Sequence, residues 1–554
     1  MICPMSTLKT LADVTTHLRQ DPCLTPKRRR DLISAVLRIS EMTAVDPRNT
    51  PASLQFMRSR INAVRPAKHN LTPKTWSNLR SNFRAALVQA APRQPRQPNA
   101  EWENLRRTLP NKRMKTGLSR FVSFCETNSI PPRAVTNSIS DRFRAHLEAD
   151  ANVPSPHYCH RLSCRLWNQA AENVPGWPPT HLTPPDCRWP PRSLPISSFP
   201  PGLQEQFARY LDSLSDADIF AKDARRTLSS STIRQRAIEL RLALSALVAS
   251  GRNPVSITSL ECLVEPNAFT TILRRYLKDD GKPRPFAVNI GHTLIALAKR
   301  RFGVDPDSLA KIKELQRLQQ CLGPQRKRLT EKNRTLLRNL DAPAVRAKLL
   351  ALPERLASWA ERESPIHRAV AMEIAVAIAI LRNAPLRIAN LAGLRLNEHL
   401  VRPGGPRSLW HIDIPPHLVK NGEPLVYELP RCTTALVDRY IRHFRPSIAK
   451  AGNPYLFPVG VKCKRPALLS RQIRGAIADW VGIDMTPHQF RHFAGRLMLQ
   501  HSPGAFAAVA QLLGHKDPQT AIAYYTGIDT LSAGRHFDTI LEAEYRKRRS
   551  RRRS

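Results

Sequence analysis

The chain has 554 residues, and its lysines and arginines outnumber its aspartates and glutamates by 87 to 44, giving a formal net charge of +43. This length exceeds one ordinary hydrophobic core and predicts three or four domains. The positive charge is spread along the whole chain and favours a polyanionic partner, most simply nucleic acid. Charge alone leaves ribosomal, membrane-surface and packaging proteins open.

Several features indicate a reduced, intracellular protein. Its ten cysteines are scattered without a C-x-x-C pair, and the N-terminal segment does not resemble a secretory signal. The longest apolar run, residues 369–381, is too short to span a bilayer and predicts a buried helix, so we expect no membrane partner. The segment HYCHRLSC, residues 157–164, fits no common zinc spacing, and ordinary helix packing explains it without a metal.

The first third of the chain predicts helices. Residues 1–98 are interpreted as an N-terminal helical domain and residues 99–173 as a second helical region, followed by a proline-rich linker at 174–201. The tetrapeptide LTPK precedes two predicted helices, at Leu24 and Leu71, where Thr then Pro forms a good helix start. A shared start sequence explains these two matches as well as a repeat does.

The middle of the chain, residues 202–322, also predicts helices, and a basic polar segment at 323–333 marks its end. Its clearest helix lies in SSSTIRQRAIELRLALSALVASG and ends at Gly251. The exposed face predicted for this helix carries three candidate DNA-binding residues, Arg234, Arg236 and Arg241. An ordinary solvated basic face explains them about equally well.

The last third predicts helices from about 335 to 400, a strand pair from 409 to 429, further helices to about 545, and a basic tail at 546–554. Asn421-Gly422 is a strong tight-turn signal between the strands, and Lys420 precedes it. The predicted fold class is therefore mainly α with a small antiparallel β-hairpin or sheet.

A cluster of chemically capable residues lies between Asp484 and Thr526. Thr486, Pro487 and Gln489 predict a capping box that starts a helix, and His488 and Arg491 then share one face of that helix. Backbone N–H groups at a helix start favour an anion, so a cation and an imidazole there suit a phosphate.

Two more candidates follow in the same segment. His515 lies just beyond an apolar helix that ends at Gly514, and a new helix carries Tyr524 and Tyr525. Tyr525 shares a side with Ala521 and is predicted to pack in the core, whereas Tyr524 is turned away and is better placed to react.

These motifs carry a family resemblance. TPHQFRHFA, followed by LLGH and a tyrosine nine residues later, resembles the tyrosine recombinase (phage integrase) family. The family's ordered set is matched here by Arg387, Lys420, His488, Arg491, His515 and Tyr524. The resemblance covers about 335–545, and about 197–320 by position only. Pro385 and Asn390 depart from the family pattern around the first arginine.

The resemblance implies a mixed α+β catalytic domain, assigned to 333–545, and a helical core-DNA-binding domain, assigned to 202–322. It implies that Tyr524, with Tyr525 as the fallback, attacks DNA and forms a 3′-phosphotyrosyl intermediate without metal, ATP or other cofactor. The remaining roles are phosphate binding by Arg387, Arg491 and His515, proton acceptance by His488 and proton donation by Lys420.

The implied partners are double-stranded recombination sites and further copies of the chain, as a dimer on each site and a tetramer in the synapse. Accessory recombination proteins are possible partners, and residues 1–98 are a candidate for arm or accessory DNA binding. A C-terminal helix with Leu531, Phe537, Ile540 and Leu541 is expected to dock on a neighbouring copy, although packing on its own domain is nearly as good an interpretation. The expected location is cytoplasmic and DNA-associated.

Integration or excision of a mobile element is the most direct biological interpretation. One alternative is a type IB topoisomerase-like enzyme that nicks and reseals single strands, but His488 in an H-x-x-R context favours a recombinase. The other is an inactive or accessory DNA-binding member of a transposition complex, against which the complete residue set argues.

Overall fold

A computed structural model describes residues 9–90, 99–150, 153, 155–185, 193–215, 227–277, 283–301, 305–323, 329–362, 365–525, 534 and 537–545. These residues are mainly helical and include two small antiparallel sheets, which confirms the predicted fold class. The chain divides into two compact units, one formed by residues 1–185 together with 327–554 and the other by residues 186–326. None of the described helices is both long and apolar enough to cross a membrane.

The N-terminal part of the first unit contains two helical clusters, each with its own buried core. The first consists of α1 (Leu11–Gln20), α2 (Pro26–Met42), α3 (Leu54–Ala63) and α4 (Pro73–Ala90), and the second of α5 (Ala100–Thr108), α6 (Lys112–Thr127), α7 (Asn137–Ala149) and α8 (Pro156–Asn173). The hydroxyls of Thr25 and Thr72 accept the N–H groups of Arg28 and Thr75 at 3.3 and 3.1 Å, so both predicted helix starts are confirmed.

The first part of the proline-rich segment packs on the second cluster. Trp177 and Leu182 are buried in its core, and the Trp167 indole donates to the carbonyl of Thr180 at 2.7 Å. Apolar side chains between the prolines therefore give this stretch a folded position that proline spacing alone does not predict.

The second unit holds a separate core formed by α9 (Pro201–Asp212), α10 (Ser230–Ala249), α11 (Pro266–Arg275), α12 (Pro285–Arg301) and α13 (Pro306–Gln320). The helix α10 is the one predicted to end at Gly251, and Gly251 adopts a positive φ of 103° directly after it. Glycine populates that backbone region at little cost, which explains why the helix ends there.

The C-terminal part of the first unit carries the remaining elements. Its helices are α14 (Glu331–Asp341), α15 (Pro343–Leu350), α16 (Leu352–Ala360), α17 (Pro365–Asn383), α18 (Ile388–Ala392), α19 (Arg431–Arg439), α20 (Pro466–Trp480), α21 (Gln489–His501), α22 (Phe506–Leu512) and α23 (Pro518–Tyr525). Its strands are β1 (Leu400–Val401), β2 (His411–Ile414), β3 (Leu425–Glu428), β4 (Pro458–Val459) and β5 (Lys462–Cys463).

The centre of this region is α17, which contains the predicted buried run. Its apolar residues from Met372 to Leu381 lie in the core, and the one acidic residue among them, Glu373, pairs with the equally buried Lys464. A carboxylate can be held there because the ammonium compensates part of its desolvation.

The predicted strand pair is present, but its strands are shorter than the predicted range of 409–429. The strands pair in antiparallel register from His411 opposite Glu428 to Ile414 opposite Leu425, and residues 415–424 form the connection. Pro415, Pro416 and Pro424 lack N–H donors and cannot extend the ladder, which explains the early strand ends. We refer to residues 415–424 as the β2–β3 connection.

Candidate active site

Arg387 occupies the position predicted for it, directly before α18 and after the buried helix α17. Its Nη2 donates to the Oδ1 of Asn421 at 3.1 Å. Its Nη1 is buried and has no hydrogen-bond partner among the residues that the structure describes. Desolvation lowers the pKa of this guanidinium, but arginine stays charged in proteins, so an unsatisfied positive donor is available to a ligand.

Arg491 lies on α21 and is only 3% exposed. Its Nη1 donates to the carbonyl of Pro385 at 2.9 Å, and its Nη2 donates to the carbonyl of Leu513. Pro385, one of the departures from the family pattern, thus supplies an acceptor through its backbone. Arg491 ties the segment before Arg387 to the bend that follows α22, in addition to placing a second positive charge at the site.

The start of α21 differs from the prediction in one respect. The Gln489 side chain accepts the backbone N–H of Thr486 at 2.7 Å, as a capping box requires. The Thr486 hydroxyl, however, donates to the same Gln489 oxygen at 3.1 Å, whereas a capping box requires it to accept a backbone N–H from the first helical turn. The helix therefore begins at Gln489, two residues later than predicted, and His488 stands immediately before it.

The C-terminal end of α22 is held by side chains from three other elements. The hydroxyl of Tyr427 donates to the carbonyl of Leu512 at 2.7 Å, Arg491 donates to Leu513, and the amide of Asn421 donates to Gly514 at 2.8 Å. Three consecutive carbonyls that a helix end leaves unpaired are satisfied in this way.

Gly514 is required at the bend. Its φ is +56°, and a Cβ at this position would lie 2.4 Å from the Cδ2 of the buried Leu425. The next residue is His515, whose backbone N–H donates to the carbonyl of Ala510 at 2.8 Å. The bend is thus fixed on both sides of Gly514, and His515 is fixed with it.

The two arginines and the predicted histidines form one electrostatic group. Desolvation, together with the positive charges of Arg491 and Arg387, lowers the pKa of His515 to about 4. The same causes in the same order lower the pKa of His488, although this side chain is exposed. Both imidazoles are therefore neutral at pH 7 before a phosphate enters, and each can donate one hydrogen bond and accept another.

Tyr524 lies on α23 and packs partly buried against the core of this region. Its ring centroid is 6.2 Å from that of His492, which in turn lies 5.2 Å from the ring of His488. His492 is buried, and desolvation, with the nearby His488, Arg491 and His515, lowers its pKa to about 4. The side chain of Tyr525 lies outside the described residues, so its predicted core packing remains a prediction.

Lys420 is exposed and lies in a turn of the β2–β3 connection closed by a hydrogen bond of 2.9 Å from the Gly422 N–H to the Val419 carbonyl. Lys420 and Asn421 are the two central residues of this turn. Lys420 therefore stands beside the residue that contacts Arg387, on the open side of the site.

The three candidate DNA-binding residues of α10 differ in exposure. Arg234 is exposed, whereas Arg236 and Arg241 are half-buried. Arg241 also donates through Nε to the carbonyl of Leu194 at 3.2 Å. Of the three, only Arg234 is as exposed as the helical pattern predicts.

The sequence pattern gave no role to three residues at the centre of the site. Of Asn421, His492 and Tyr427, only Asn421 was singled out, and only as a turn residue. The adjacency of Asn421 to Lys420 was the only sequence signal for any of them, because their contacts reach backbone carbonyls or rings far along the chain.

Part of the chain is similar to a known protein family. Residues 354–530 match the model of the phage integrase family. The site residues Arg387, Lys420, His488, Arg491, His515 and Tyr524 all fall within the matched range. The chain therefore carries a phage integrase family domain.

Solved structures of two recombinases are also similar. XerA recombinase is 16% identical, with 60% of this chain and 96% of the XerA chain covered, at a TM-score of 0.24. XerH recombinase in its pre-cleavage complex with difH substrate is 14% identical over 57% of this chain and 88% of that chain, at 0.30. The post-cleavage complex of XerH with palindromic difH substrate is 11% identical, with 60% and 96% covered, at 0.31. No curated protein sequence matches the chain.

Proposed function

We propose that this protein cuts and rejoins double-stranded DNA at specific sites through a 3′-phosphotyrosyl intermediate on Tyr524, and that it integrates or excises a mobile element. One group of residues carries the proposal: Arg387, Arg491, His488 and His515. In this group the two guanidinium charges add to desolvation in lowering the pKa of both imidazoles. The phage integrase domain gives this group its reaction class.

A phosphodiester resists attack because its negative charge repels nucleophiles. The buried Nη1 of Arg387, which has no partner in the described part of the chain, offers a charged donor to a nonbridging oxygen, and Arg491 adds its positive charge beside it. His515, neutral before DNA binds, donates a hydrogen bond to the same phosphate. Together these groups stabilise the negative charge that builds in the pentavalent transition state.

The nucleophile and the leaving group need proton transfer. The phenol of Tyr524 loses its proton to His488, which is neutral and so able to accept it. The Tyr524 oxygen bonds to phosphorus while the bond to the 5′ oxygen breaks, and Lys420 protonates that oxygen. The phosphate also offsets the guanidinium charges that depress the pKa of His488, which makes this histidine a better base once DNA is bound.

Strand exchange between two duplexes requires several active sites, so we propose a dimer on each site and a tetramer in the synapse. Residues 537–545 are helical, and Phe537, Ile540 and Leu541 on this segment are exposed. Exposed apolar side chains on one helix favour docking on a neighbouring copy over packing on their own domain. Leu531 lies outside the described residues.

A covalent-trapping experiment tests the proposed reaction. Binding sites are selected from random duplex DNA, rebuilt with a nick beside the cleaved phosphate so that the leaving strand diffuses away, and incubated with the protein. We expect a DNA adduct that resists denaturation and whose linked peptide contains Tyr524. Tyr524→Phe should abolish the adduct, and Tyr525→Phe, the matched control, should leave it largely intact.

Two outcomes contradict the proposal. An adduct that depends on Tyr525 would reassign the nucleophile. Selected DNA that binds tightly but never forms an adduct with the wild-type protein would favour an accessory DNA-binding role.

A further inference from the structure

Asn421 connects three parts of the site that are far apart in the sequence. Its Oδ1 accepts from Arg387, 34 residues away, and its Nδ2 donates to the carbonyl of Gly514, 93 residues away. Its backbone follows Lys420 in the turn between Val419 and Gly422. One half-buried amide therefore touches the first arginine and the bend before His515, and it is covalently joined to the predicted general acid.

The chemistry of the two partners fixes how this amide is oriented. A guanidinium can only donate and a backbone carbonyl can only accept, so the oxygen must face Arg387 and the nitrogen must face Gly514. Aspartate could keep the first bond but would oppose the Gly514 carbonyl with a second oxygen. A leucine of similar size could make neither bond. Of these three side chains, only asparagine serves both partners.

The other end of the same connection is also attached. The amide of Asn390, three residues after Arg387, donates to the carbonyl of Leu418 at 3.0 Å. The β2–β3 connection is thus held to α18 by Asn390 and to both Arg387 and the α22 bend by Asn421. The bond from Asn421 occupies Nη2 of Arg387 and leaves Nη1 without a partner among the described atoms.

We propose that Asn421 is a positioning residue that orients the Arg387 guanidinium and holds Lys420 in register with the Gly514–His515 bend. It acts through Arg387 and through the turn, with its own polar atoms already engaged. The catalytic part of this proposal rests on the proposed strand-cleavage function. The structural part, that Asn421 holds the β2–β3 connection in place, does not depend on that function. A misplacement of about 1 Å in such a site can cost about 100-fold in rate.

The structural consequence is tested on the full chain without DNA. Hydrogen exchange of peptides covering 415–424 should be markedly faster in Asn421→Ala and in Asn421→Asp than in the wild type, with unchanged exchange in α17. His417→Ala, in the same connection and exposed, is the matched control and should exchange like the wild type. Unchanged exchange in both Asn421 variants would overturn the proposal, whatever the protein does to DNA.

The catalytic consequence is tested with the nicked duplex described above. Asn421→Ala should slow adduct formation at saturating DNA by about 100-fold while DNA affinity stays within about twofold, because Asn421 positions groups rather than binding the strand. In an Arg387→Ala background the same substitution should cost clearly less than about 100-fold, since the part of its effect that acts through Arg387 is already lost.

The outcomes separate the two proposals. Absence of any adduct from the wild type would remove the proposed function and leave the exchange result to decide the role of Asn421. Fully additive losses in the double variant, or an Asn421→Asp variant that cleaves as fast as the wild type, would overturn the positioning role while leaving the function in place.

Discussion

The candidate site has an inner and an outer part that are built differently. The inner part, formed by Arg387, Arg491 and His515, lies at the ends of α17, α21 and α22, where each residue is held by at least one hydrogen bond to a neighbour. The outer part, formed by Lys420 and Tyr524, lies on an exposed turn and on the short helix α23. Charge stabilisation benefits from fixed, desolvated groups, whereas attack and proton donation must adapt to DNA entering and leaving.

The largest effect should come from the outer part. Lys420→Ala should slow strand cleavage by about 100- to 10,000-fold, because the 5′ oxygen then leaves without a proton. Its effect on the unfolding midpoint should be negligible, since Lys420 is exposed. A substrate with sulfur in place of that 5′ oxygen should restore most of the rate, because a thiolate leaves without protonation. Failure of the sulfur substrate to restore the rate would exclude Lys420 as the acid.

A matched pair of arginine substitutions sharpens the contrast within the inner part. Arg491→Met removes two donors from buried carbonyls and should lower the free energy of unfolding by about 3 kcal/mol. Arg387→Met loses one bond to Asn421 and should cost about 1 kcal/mol. Denaturant unfolding of both variants measures the difference. Equal losses of unfolding free energy in the two variants would contradict the larger structural role assigned to Arg491.

The buried imidazole beside the inner part predicts a pH dependence of stability. The pKa of His492 is about 4 in the folded protein against an ordinary 6.5, so the folded state binds fewer protons than the unfolded state between these values. Stability should therefore fall as the pH drops through that window, by roughly 3 kcal/mol in total for this residue. Denaturant unfolding at pH 7 and pH 5 measures the fall, and His492→Gln should reduce it, leaving the contribution of His515. A profile unchanged in His492→Gln would contradict the assignment.

The smallest effect on chemistry is expected from removing the C-terminal segment. Removing residues 531–554 should leave adduct formation by a single protomer within about twofold, while pairing of two DNA sites is lost. Sedimentation of the protein with duplex DNA distinguishes a complex on one site from a synapse. Synaptic assembly that survives the deletion would favour packing of this segment on its own domain.

The sequence predicted the inner part more completely than its connections. The family resemblance places Arg387 at the start of a helix and a local rule places His515 after a glycine bend, and both positions are observed. Side-chain hydrogen bonds to residues far along the chain leave no local pattern. The bonds that Arg491 and Asn421 make could therefore not be predicted. Asn421 was also misleading, because its turn signal concerns the backbone while its amide serves the site.

The prolines around the hairpin explain why its strands are shorter than predicted. Pro415, Pro416 and Pro424 have no N–H to donate, and residues without an N–H limit a ladder more strictly than a turn signal extends it. The longer connection that results has room for the turn that carries Lys420. The roles of the six site residues and of the three arginines of α10 remain predictions.

The contact between Gly514 and Leu425 has a consequence for sequence variation. A side chain at 514 must adopt the left-handed backbone conformation and must also displace the end of the buried Leu425 side chain, unless residue 425 is smaller. Among homologous chains, position 514 should therefore stay glycine wherever 425 is large. The rare exceptions should be paired replacements, with asparagine at 514 and alanine or glycine at 425, which gives the bend an evolutionary signature that an alignment can reveal.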